Sequence, residues 1–494
     1  MTETARTLTY DELLFEYHRV SEELAQLKRL IFGQKRERFV PLANEQQLAI
    51  GLNEEAPAAA PVATATITYT RHQKKSSSAK LPSRNPLPAH LRREEIVIAP
   101  AEDVSTLKKI GDEITEELEY QPGELYVKRY VRPKYVRPEG DDSAGSPVVV
   151  ATLPTRPIEK GIAGPGLLAH VLISKFVDHL PLYRQQQQFR RQHVRLPEST
   201  LGGWVTACGE VLLPLYETHR ALIQQSSYLM VDETPLPVLD RSKPGKTHLG
   251  YHWVYYDPVA KLVLFDYRPG RSRAGPNEML KNFQGYLQCD GYTGYDDILA
   301  RPGVMAVGCF AHARRYFEQA QDSDRERAAW MLVKLQALYA LERQAREAQM
   351  SFDERNALRQ QHAVPILAEI KTWLGQNGTQ VLPKSAIGKA IGYMLGQWPK
   401  LAKYTNDGRL EIDNNLVENA IRPVALGRKN YLFAGSHEGA KRAAIIYSLV
   451  ATAKLHNVEP FAYLKDLLTR LPDHPHHQLA ELLPQNWSAQ STKQ

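Results

Sequence analysis

Cysteine is scarce in this sequence, which holds three among 494 residues, at Cys208, Cys289 and Cys309. So few and so scattered cysteines exclude a disulfide framework and suit a reducing compartment. Long apolar runs are also missing, because no stretch approaches the roughly 18 consecutive apolar residues of a membrane helix. The first residues lack the basic segment and apolar run of a secretory leader. We therefore expect a cytoplasmic protein with no membrane partner.

Charge of one sign is only slightly in excess, with 62 Lys and Arg against 55 Asp and Glu, a formal net charge of +7. This excess favours a polyanionic partner such as nucleic acid without establishing one. Hydrophobic residues make up 43% and charged residues 24%, which excludes disorder of the whole chain. The length predicts about three domains.

Side chains near the N-terminus follow the spacing of a coiled-coil seam. Apolar residues recur in alternating steps of four and three at Leu13, Tyr17, Val20, Leu24, Leu27 and Ile31. A self-pairing helix and an amphipathic helix that packs on its own domain both fit so short a seam. We assign residues 1–43 to this zipper-like helix and the basic segment FGQKRERF. Residues 44–90 have few bulky apolar side chains and predict a flexible linker.

Two further modules are predicted next. Short alternating runs such as LYVKRYV assign residues 91–155 to a small β-rich module. Residues 156–225 predict helices separated by a break, similar to a helix-turn-helix, in which the second helix begins at the N-cap candidate Ser199 and carries Thr200. Both hydroxyl residues are candidate DNA contacts. An ordinary helical hairpin explains the same pattern.

From residue 226 the chain changes to short aromatic and β-branched runs, YLMVDE, HWVYYD, KLVLFDY, GYLQCDGY and VMAVGCF, which predict strands. AHARRYFEQA then starts a helical stretch that reaches roughly Trp398. This order predicts a mixed α/β core with a large helical insertion. We assign the first part of the core to 226–318, the insertion to 319–409, the final part to 410–470 and a tail to 471–494.

Two aspartates follow apolar strand-like runs in the same way, Asp232 in LMVDET and Asp290 in LQCDGY. Carboxylates at the ends of adjacent strands converge on one edge of a sheet, where they build an oxygen-only site for Mg²⁺ or Mn²⁺. Either aspartate alone is explained as well by a cap of the following turn. The chemistry therefore depends on a third acid.

That third acid is Glu418, on a helix that Asp413 or Asn414 can cap. Arg422 lies four residues later on the same helical face, so one side chain can hold a metal ion while the other reaches a phosphate. An ordinary helical ion pair is the alternative.

GRKN follows on the same stretch and predicts a glycine-flanked loop, with Arg428 and Lys429 beside Tyr431 and Phe433. A basic, aromatic and flexible segment next to acids fits a nucleic-acid strand that lies across the site. A helical ion pair alone does not explain this segment.

These segments resemble transposases of the insertion sequence sixty-six group, which belong to the DDE class with a ribonuclease-H-like catalytic fold. The resemblance runs from KFVDHLPLYRQ through DETPLPVLD, GYLQCDGYTGYD, CFAHARRYF and IDNNLVENAIRPVALGRKNYLFAGS to AAIIYSLVATAKLHNVEPFAYL. It implies a multidomain α/β protein whose catalytic domain carries a helical insertion. It also implies that Asp232, Asp290 and Glu418 are the catalytic acids and hold two Mg²⁺ or Mn²⁺ ions.

The implied partners are DNA of the element's ends and target, a homo-oligomer that brings the ends together, and small proteins encoded by the same element. We expect the protein in the bacterial cytoplasm, associated with the nucleoid. Candidate phosphate contacts are Arg422, Arg428, Lys429, Lys441 and Arg442, with His312, Arg314 and Arg315 as further candidates.

The chain departs from the family where a zinc-binding module built on cysteine pairs normally follows the N-terminal segment. No cysteine lies between Leu81 and Pro154, so structural zinc is not expected. Cys309 and His312 form a C-x-x-H pair, which a strand cysteine and a histidine at a helix start explain as well.

The implied function is metal-dependent cleavage at element ends and strand transfer into target DNA. Two alternatives stay open, a catalytically silent transposase-derived DNA-binding protein and a ribonuclease-H-like repair nuclease. The presence of all three acids argues against the first, and the zipper-like N-terminus and basic C-terminal part argue against the second.

Overall fold

Strands and helices build a mixed α/β fold in the part of the chain that the structure, a computed structural model, describes. That part comprises residues 87, 89, 91–105, 107–121, 123–137, 148–240 and 246–488. The zipper-like helix predicted at 1–43 and nearly all of the linker predicted at 44–90 lie outside the described residues. The predicted α/β class is confirmed, and the domain boundaries stay predictions.

The first sheet contains the strands predicted for the β-rich module. They are β1 (Arg93–Val97), β2 (Lys108–Gln121), β3 (Glu124–Val136) and β4 (Val148–Val150). β3 pairs antiparallel with β2 and β4 and parallel with β1. The tight connection from β2 to β3 contains Gly123 at φ +86°, a left-handed conformation that glycine adopts without strain.

Three helices follow, α1 (Pro165–Phe176), α2 (Leu182–Arg191) and α3 (Glu198–Ile223). The first predicted helical stretch is divided in two, because His179 has φ +58° and Pro181 follows it. α3 is 26 residues long and packs on α1 and on the central sheet. This extensive packing favours the helical-hairpin interpretation of the region.

The central sheet has the order β7-β6-β5-β8-β9. Its strands are β5 (Tyr228–Leu239), β6 (Thr247–Asp257), β7 (Leu262–Arg268), β8 (Gly285–Gln288) and β9 (Val304–Val307). β5, β6 and β7 are antiparallel, whereas β8 and β9 run parallel to β5. The edge strand β7 is covered by side chains, since Phe265 donates its N–H to Ser448 and accepts from the Tyr216 hydroxyl, both at 2.8 Å.

The predicted helical stretch after β9 is confirmed and ends at Leu401, close to the expected Trp398. It comprises α6 (Phe310–Ala320), α7 (Arg325–Glu347), α8 (Phe352–Leu358), a π-helical turn (Arg359–Ala363), α9 (Val364–Gly378) and α10 (Ala386–Leu401). The remaining helices are α4 (Ala274–Met279), α5 (Asp296–Leu299), α11 (Asn415–Tyr431), α12 (His437–Leu455) and α13 (Pro460–Arg470), with 3₁₀ turns at Thr293–Tyr295, Ala402–Asn406, Leu471–Asp473 and His476–Leu482. Within the described residues, no helix has the length and apolar character that crossing a membrane requires.

Three charged side chains meet inside the insertion, at Glu342, Arg355 and Arg359, and all three are buried. Glu342 accepts hydrogen bonds from both guanidinium groups at 2.6 to 2.9 Å. Burial alone would raise the pKa of Glu342, but the hydrogen bonds and charges of Arg359 and Arg355 outweigh it and lower that pKa. Breaking such a cluster is costly, because any member left alone is an uncompensated buried charge.

This buried cluster also holds the segment that returns from the insertion to the central sheet, residues 404–411. Arg359 donates hydrogen bonds of 2.7 to 2.9 Å to the backbone carbonyls of Tyr404, Asp407 and Leu410. Arg355 donates to both carboxylate oxygens of Glu411 at 2.8 Å. The cluster therefore fixes the path of the chain immediately before α11.

Replacing Glu342 by Gln leaves the buried Arg359 guanidinium without its paired carboxylate, while Arg355 keeps its ion pair with Glu411. We expect Glu342→Gln to lower the free energy of unfolding by about 3–5 kcal/mol. The matched control is Glu369→Gln in the same insertion, an exposed residue paired with Lys334, for which we expect a loss below about 1 kcal/mol. Urea denaturation followed by circular dichroism measures both, and equal losses would contradict a stabilising role for the cluster.

Candidate active site

A buried amide joins the strands that carry two of the predicted acids. Gln288, the last residue of β8, accepts a hydrogen bond from the Tyr228 hydroxyl at 2.5 Å and donates to the carbonyls of Gly308 and Glu411 at 3.0 Å. The Tyr228 hydroxyl also accepts the N–H of Glu411 at 2.9 Å. Through these bonds Gln288 and Tyr228 hold β5, β8, the residue after β9 and the returning segment at one point.

Asp232 and Asp290 occupy equivalent positions on neighbouring parallel strands. β5 pairs with β8 up to Met230 and Gln288, and each aspartate follows its paired residue by two positions. Asp290 lies beyond the end of β8, as predicted, and its carboxylate accepts the N–H of Tyr292 at 3.0 Å. The prediction that Asp232 ends its strand is wrong, because β5 continues to pair with β6 as far as its last residues.

Glu418 is brought to β5 by the residues just before α11. The Asn414 side-chain amide donates to the Val231 carbonyl at 3.3 Å, and its backbone N–H donates to Cys309 Sγ at 3.2 Å. Asn414 holds the N-cap position, but its side chain makes no capping bond because it is used for this contact with β5. The Asp413 carboxylate accepts the backbone N–H of the residue after Asn414 at 3.0 Å instead. Glu418 therefore lies in the first turn of α11, beside the strand that carries Asp232.

Asp232 and Glu418 line a cleft of about 420 Å³. The other side chains that line it are Glu233, His312, Arg315, Ile421, Arg422 and Ala425. Asp290 is outside this lining, but its charge acts on Asp232 together with those of Glu233 and Glu418. Burial, with these neighbouring charges, raises the pKa of Asp232 to about 7.

The donors of this cleft fit a hard divalent cation. Carboxylate oxygens are the ligands that Mg²⁺ and Mn²⁺ prefer, and a cation offsets the repulsion among the acids. Among the described residues, no three His, Cys, Asp or Glu side chains are already grouped as a metal site.

Glu233 is a further acid of the cleft that sequence reasoning missed, although it directly follows Asp232. Its carboxylate accepts hydrogen bonds from Arg271 at 2.7 Å and from the Tyr295 hydroxyl at 2.9 Å. The Arg271 guanidinium lies 3.9 Å from the ring centre of Tyr292, whose hydroxyl donates to the Arg271 carbonyl. These contacts connect β5 to the loop after β8. The motif GYTGYD contains both tyrosines and was the signal available in the sequence.

The predicted phosphate contacts differ in what they face. The cleft is lined by His312, Arg315 and Arg422. Lys429 is exposed on the same face of α11 as Arg422, seven residues later. Arg314 pairs with Glu318 at 2.9 Å and Lys441 with Glu438 at 2.7 Å, both on the surface.

The predicted glycine-flanked loop around Arg428 is wrong. α11 continues through Gly427 and Arg428 to Tyr431 and ends where Leu432 has φ +62°. Gly427 serves packing, because a Cβ atom there would lie 2.2 Å from the Tyr431 hydroxyl. Arg428 is half-buried and donates to the Pro235 carbonyl of β5, so it joins helix to strand.

The other candidates lie on α3 and α12. Ser199 is exposed and Thr200 half-buried in the first turn of α3. The N-cap prediction for Ser199 is wrong, since Pro197, with the extended backbone that proline favours, holds that position. Arg442 of α12 packs on Gly209, where a Cβ atom would come within 2.6 Å of its Cγ. A DNA contact by Ser199, Thr200 or Arg442 stays a prediction.

The two residues of the C-x-x-H pair, Cys309 and His312, make different contacts. Cys309 is buried and accepts a hydrogen bond from the segment before α11, whereas His312 faces the cleft. This placement favours the interpretation of a structural cysteine followed by a histidine at a helix start.

Models of known protein families match most of the chain. The model described as "Transposase IS66 family" matches residues 160–442, which carry all three predicted acids. The chain belongs to the IS66 family of transposases. Further models match residues 19–96 ("Transposase C of IS166 homeodomain"), 101–136 ("zinc-finger binding domain of transposase IS66") and 448–485 ("IS66 C-terminal element"). The resemblance found in the sequence is thereby confirmed.

Relatives in Sinorhizobium fredii are similar over nearly their full length. "Uncharacterized protein y4jD" is 33% identical over 96% of this chain and 95% of its own. "Uncharacterized protein y4hP" is 32% identical over 95% of this chain and 88% of its own. The similarity to these proteins therefore extends over nearly all of this IS66 member.

The zinc-finger match covers β2 and β3 without the usual zinc ligands. Residues 101–136 contain neither cysteine nor histidine, the side chains on which structural zinc sites are built. Ion pairs across this hairpin, such as Arg132 with Glu113 at 2.6 Å, contribute contacts in their place. The residues present do not fit a structural zinc ion.

The raised pKa of Asp232 predicts a stability that falls with rising pH. Between the ordinary pKa of 3.8 and about 7, the folded state binds a proton that the unfolded state releases. The free energy of unfolding therefore decreases across this window and is lowest above it, where a buried carboxylate is charged.

Asp232→Asn removes this charge, so in EDTA at about pH 8.5 we expect it to raise the free energy of unfolding by a few kcal/mol. The gain should shrink toward about pH 4. Urea unfolding at both pH values measures it, with the exposed Asp297→Asn as control. A gain independent of pH would show that Asp232 has an ordinary pKa.

Proposed function

We propose that this IS66 transposase cleaves the ends of its element and joins them to target DNA with a triad of Asp232, Asp290 and Glu418. The observation that carries the proposal is the arrangement of these acids. Asp232 and Asp290 follow equivalent register positions on the parallel strands β5 and β8. Glu418 lies on α11, whose N-cap residue Asn414 is hydrogen-bonded to β5. The mixed five-stranded sheet, with a helical insertion before the last acid, supports a ribonuclease-H-like catalytic domain.

Asp232, Asp290 and Glu418 would hold the two divalent ions in this scheme. When bound, Mg²⁺ or Mn²⁺ supplies charge neutralisation and lowers the pKa of an attacking water or 3′-hydroxyl. The acids place the attacking oxygen in line with the scissile phosphate, and Arg315 and Arg422 contact the phosphate oxygens beside it. Water attack at the element's end releases a 3′-hydroxyl, and that hydroxyl then attacks a target phosphate at the same site.

The exposed face of α11 supports a DNA strand as the bound polymer. Glu418, Arg422, Ala425 and Lys429 follow one another in steps of four, three and four, so they lie on one side of the helix. This row begins at the acids and continues as positive charge, which suits a phosphate backbone. Oligomerisation, small partner proteins encoded by the element, and a place beside the nucleoid stay predictions.

The triad predicts that each acid is needed for cleavage and none for binding. We expect Asp232→Asn, Asp290→Asn and Glu418→Gln each to reduce Mg²⁺-dependent cleavage of element-end DNA by more than about 100-fold, since even outer partners of metal ligands cost about 10- to 100-fold. DNA affinity in EDTA should stay near that of the wild type. Gel-based cleavage and fluorescence anisotropy measure the two.

The matched control is Asp297→Asn, an exposed aspartate in α5, paired with Arg273 at 2.9 Å, seven residues after Asp290. It should cleave like the wild type. Full activity in any triad variant would remove that residue from the site. Binding without cleavage by the wild type would instead favour the silent DNA-binding alternative, and nicking without strand joining would favour the nuclease.

A further inference from the structure

A second cavity, of about 620 Å³, lies at the far end of α11 from Glu418. α1, the start of α3, β5, β6 and the connection from α11 to α12 all contribute to its wall. Its aromatic lining consists of Phe176, Tyr183, Tyr431, Phe433 and Tyr447. Tyr183 and Phe433 are exposed, so flat apolar surface continues from the interior to the mouth.

Two polar side chains in this cavity stand out: His252 lacks the partners that burial demands, and Lys175 is half-buried, with the charge of Glu198 acting on it. His252 is fully buried, and neither of its ring nitrogens has a hydrogen-bond partner. Lys175 forms no ion pair within the described residues, and its ammonium group lies 4.8 Å from the ring centre of Tyr431. Burial lowers the pKa of His252 to about 3 and that of Lys175 to about 8. His252 is therefore neutral and offers one donor and one acceptor.

A base is the ligand that this chemistry fits best. The aromatic side chains of the wall can stack on the flat ring of a base. The neutral imidazole of His252 matches the mixed donors and acceptors on the edge of a base, and the ammonium group of Lys175 can bind a carbonyl or phosphate oxygen of the nucleotide. The volume lies within the range of small-molecule sites. A free anion alone would not need the aromatic lining.

The route from the cleft to the cavity follows α11 along β5. Asn414 contacts Val231, Arg428 contacts Pro235, and Ala434 pairs with Val238, so the helix and strand advance in the same direction. Eleven residues of helix separate Glu418 from Lys429, about 16 Å at the helical rise, or roughly five base steps of one strand.

We propose that this cavity holds a base extruded from the DNA strand near the scissile phosphate. The proposal rests on the function proposed above, because it takes the bound polymer to be DNA. Lys175 contacts the extruded nucleotide, His252 reads the edge of its base, and Tyr183 and Phe433 stack at the mouth. No bond is made or broken in this step.

Two neighbouring glycines of α3 provide a sharp test. Gly202 lines the cavity and Gly203 does not, and a Cβ atom at either position meets nothing within 4 Å. Leucine also forms helix better than glycine, so neither Gly202→Leu nor Gly203→Leu should harm the fold. The first fills the cavity, and the second is its matched control.

The probe is element-end DNA with 2-aminopurine at successive positions within about five nucleotides of the cleavage site. We expect its fluorescence to rise at one position with the wild type, with Gly203→Leu and with the inactive Glu418→Gln. Gly202→Leu should abolish the rise and weaken DNA binding about tenfold, the loss of one stacked base. His252→Phe should keep the rise but alter its dependence on base identity.

Equal signals from the two glycine variants, or no rise at any position with DNA bound, would overturn the proposal. Tight binding of free deoxynucleoside monophosphates, with the DNA signal unaffected by Gly202→Leu, would overturn it in favour of a small-molecule site. If the wild type cleaves no DNA but the rise depends on Gly202, the cavity proposal stands while the proposed catalytic function fails.

Discussion

The buried charges of Glu342, Arg355 and Arg359 decide where the chain runs between the helical insertion and α11. Arg359 donates hydrogen bonds to three backbone carbonyls of the returning segment, and Arg355 binds the side chain of Glu411 at the end of that segment. Glu411 in turn donates its N–H to Tyr228 and accepts from Gln288 through its carbonyl. Because these bonds connect the insertion, the returning segment and the central sheet, a shift of the insertion would move the start of α11. The insertion is thus part of the framework of the cleft.

The buried carboxylates at the two ends of this framework, Glu342 and Asp232, have different neighbours. Inside the insertion, each carboxylate oxygen of Glu342 meets a guanidinium group, so burial is compensated within the chain. In the cleft, the charges of Glu233, Asp290 and Glu418 act on Asp232, whose carboxylate accepts the N–H of Glu233. Burial and these neighbouring acids raise the pKa of Asp232, and the divalent cation of the proposed function would offset their charge.

The helix α11 connects the proposed active site to the second cavity. Its first turn carries Glu418, its exposed face carries Arg422 and Lys429, and its last turn carries Tyr431 in the wall of the second cavity. Arg428 attaches the same helix to β5, so both ends keep a fixed separation. In the proposed function, this fixed separation would set the distance along the DNA strand between the cleavage site and the second cavity.

Local pattern in the sequence determined the strands of both sheets and the helices of the insertion, and it supplied the prediction of three acids, because alternation, helical spacing and family motifs are properties of short segments. It failed where partners are distant in the chain. Asp232 lies within a strand because β6 pairs beside it, and α11 continues through Gly427 to Arg428, which donates a hydrogen bond to the Pro235 carbonyl of β5. The hydrogen bond from Arg271 to Glu233 and the burial of His252 likewise result from contacts between remote segments. Which side chain meets which neighbour is decided by tertiary packing, since it depends on long-range geometry that no local spacing encodes.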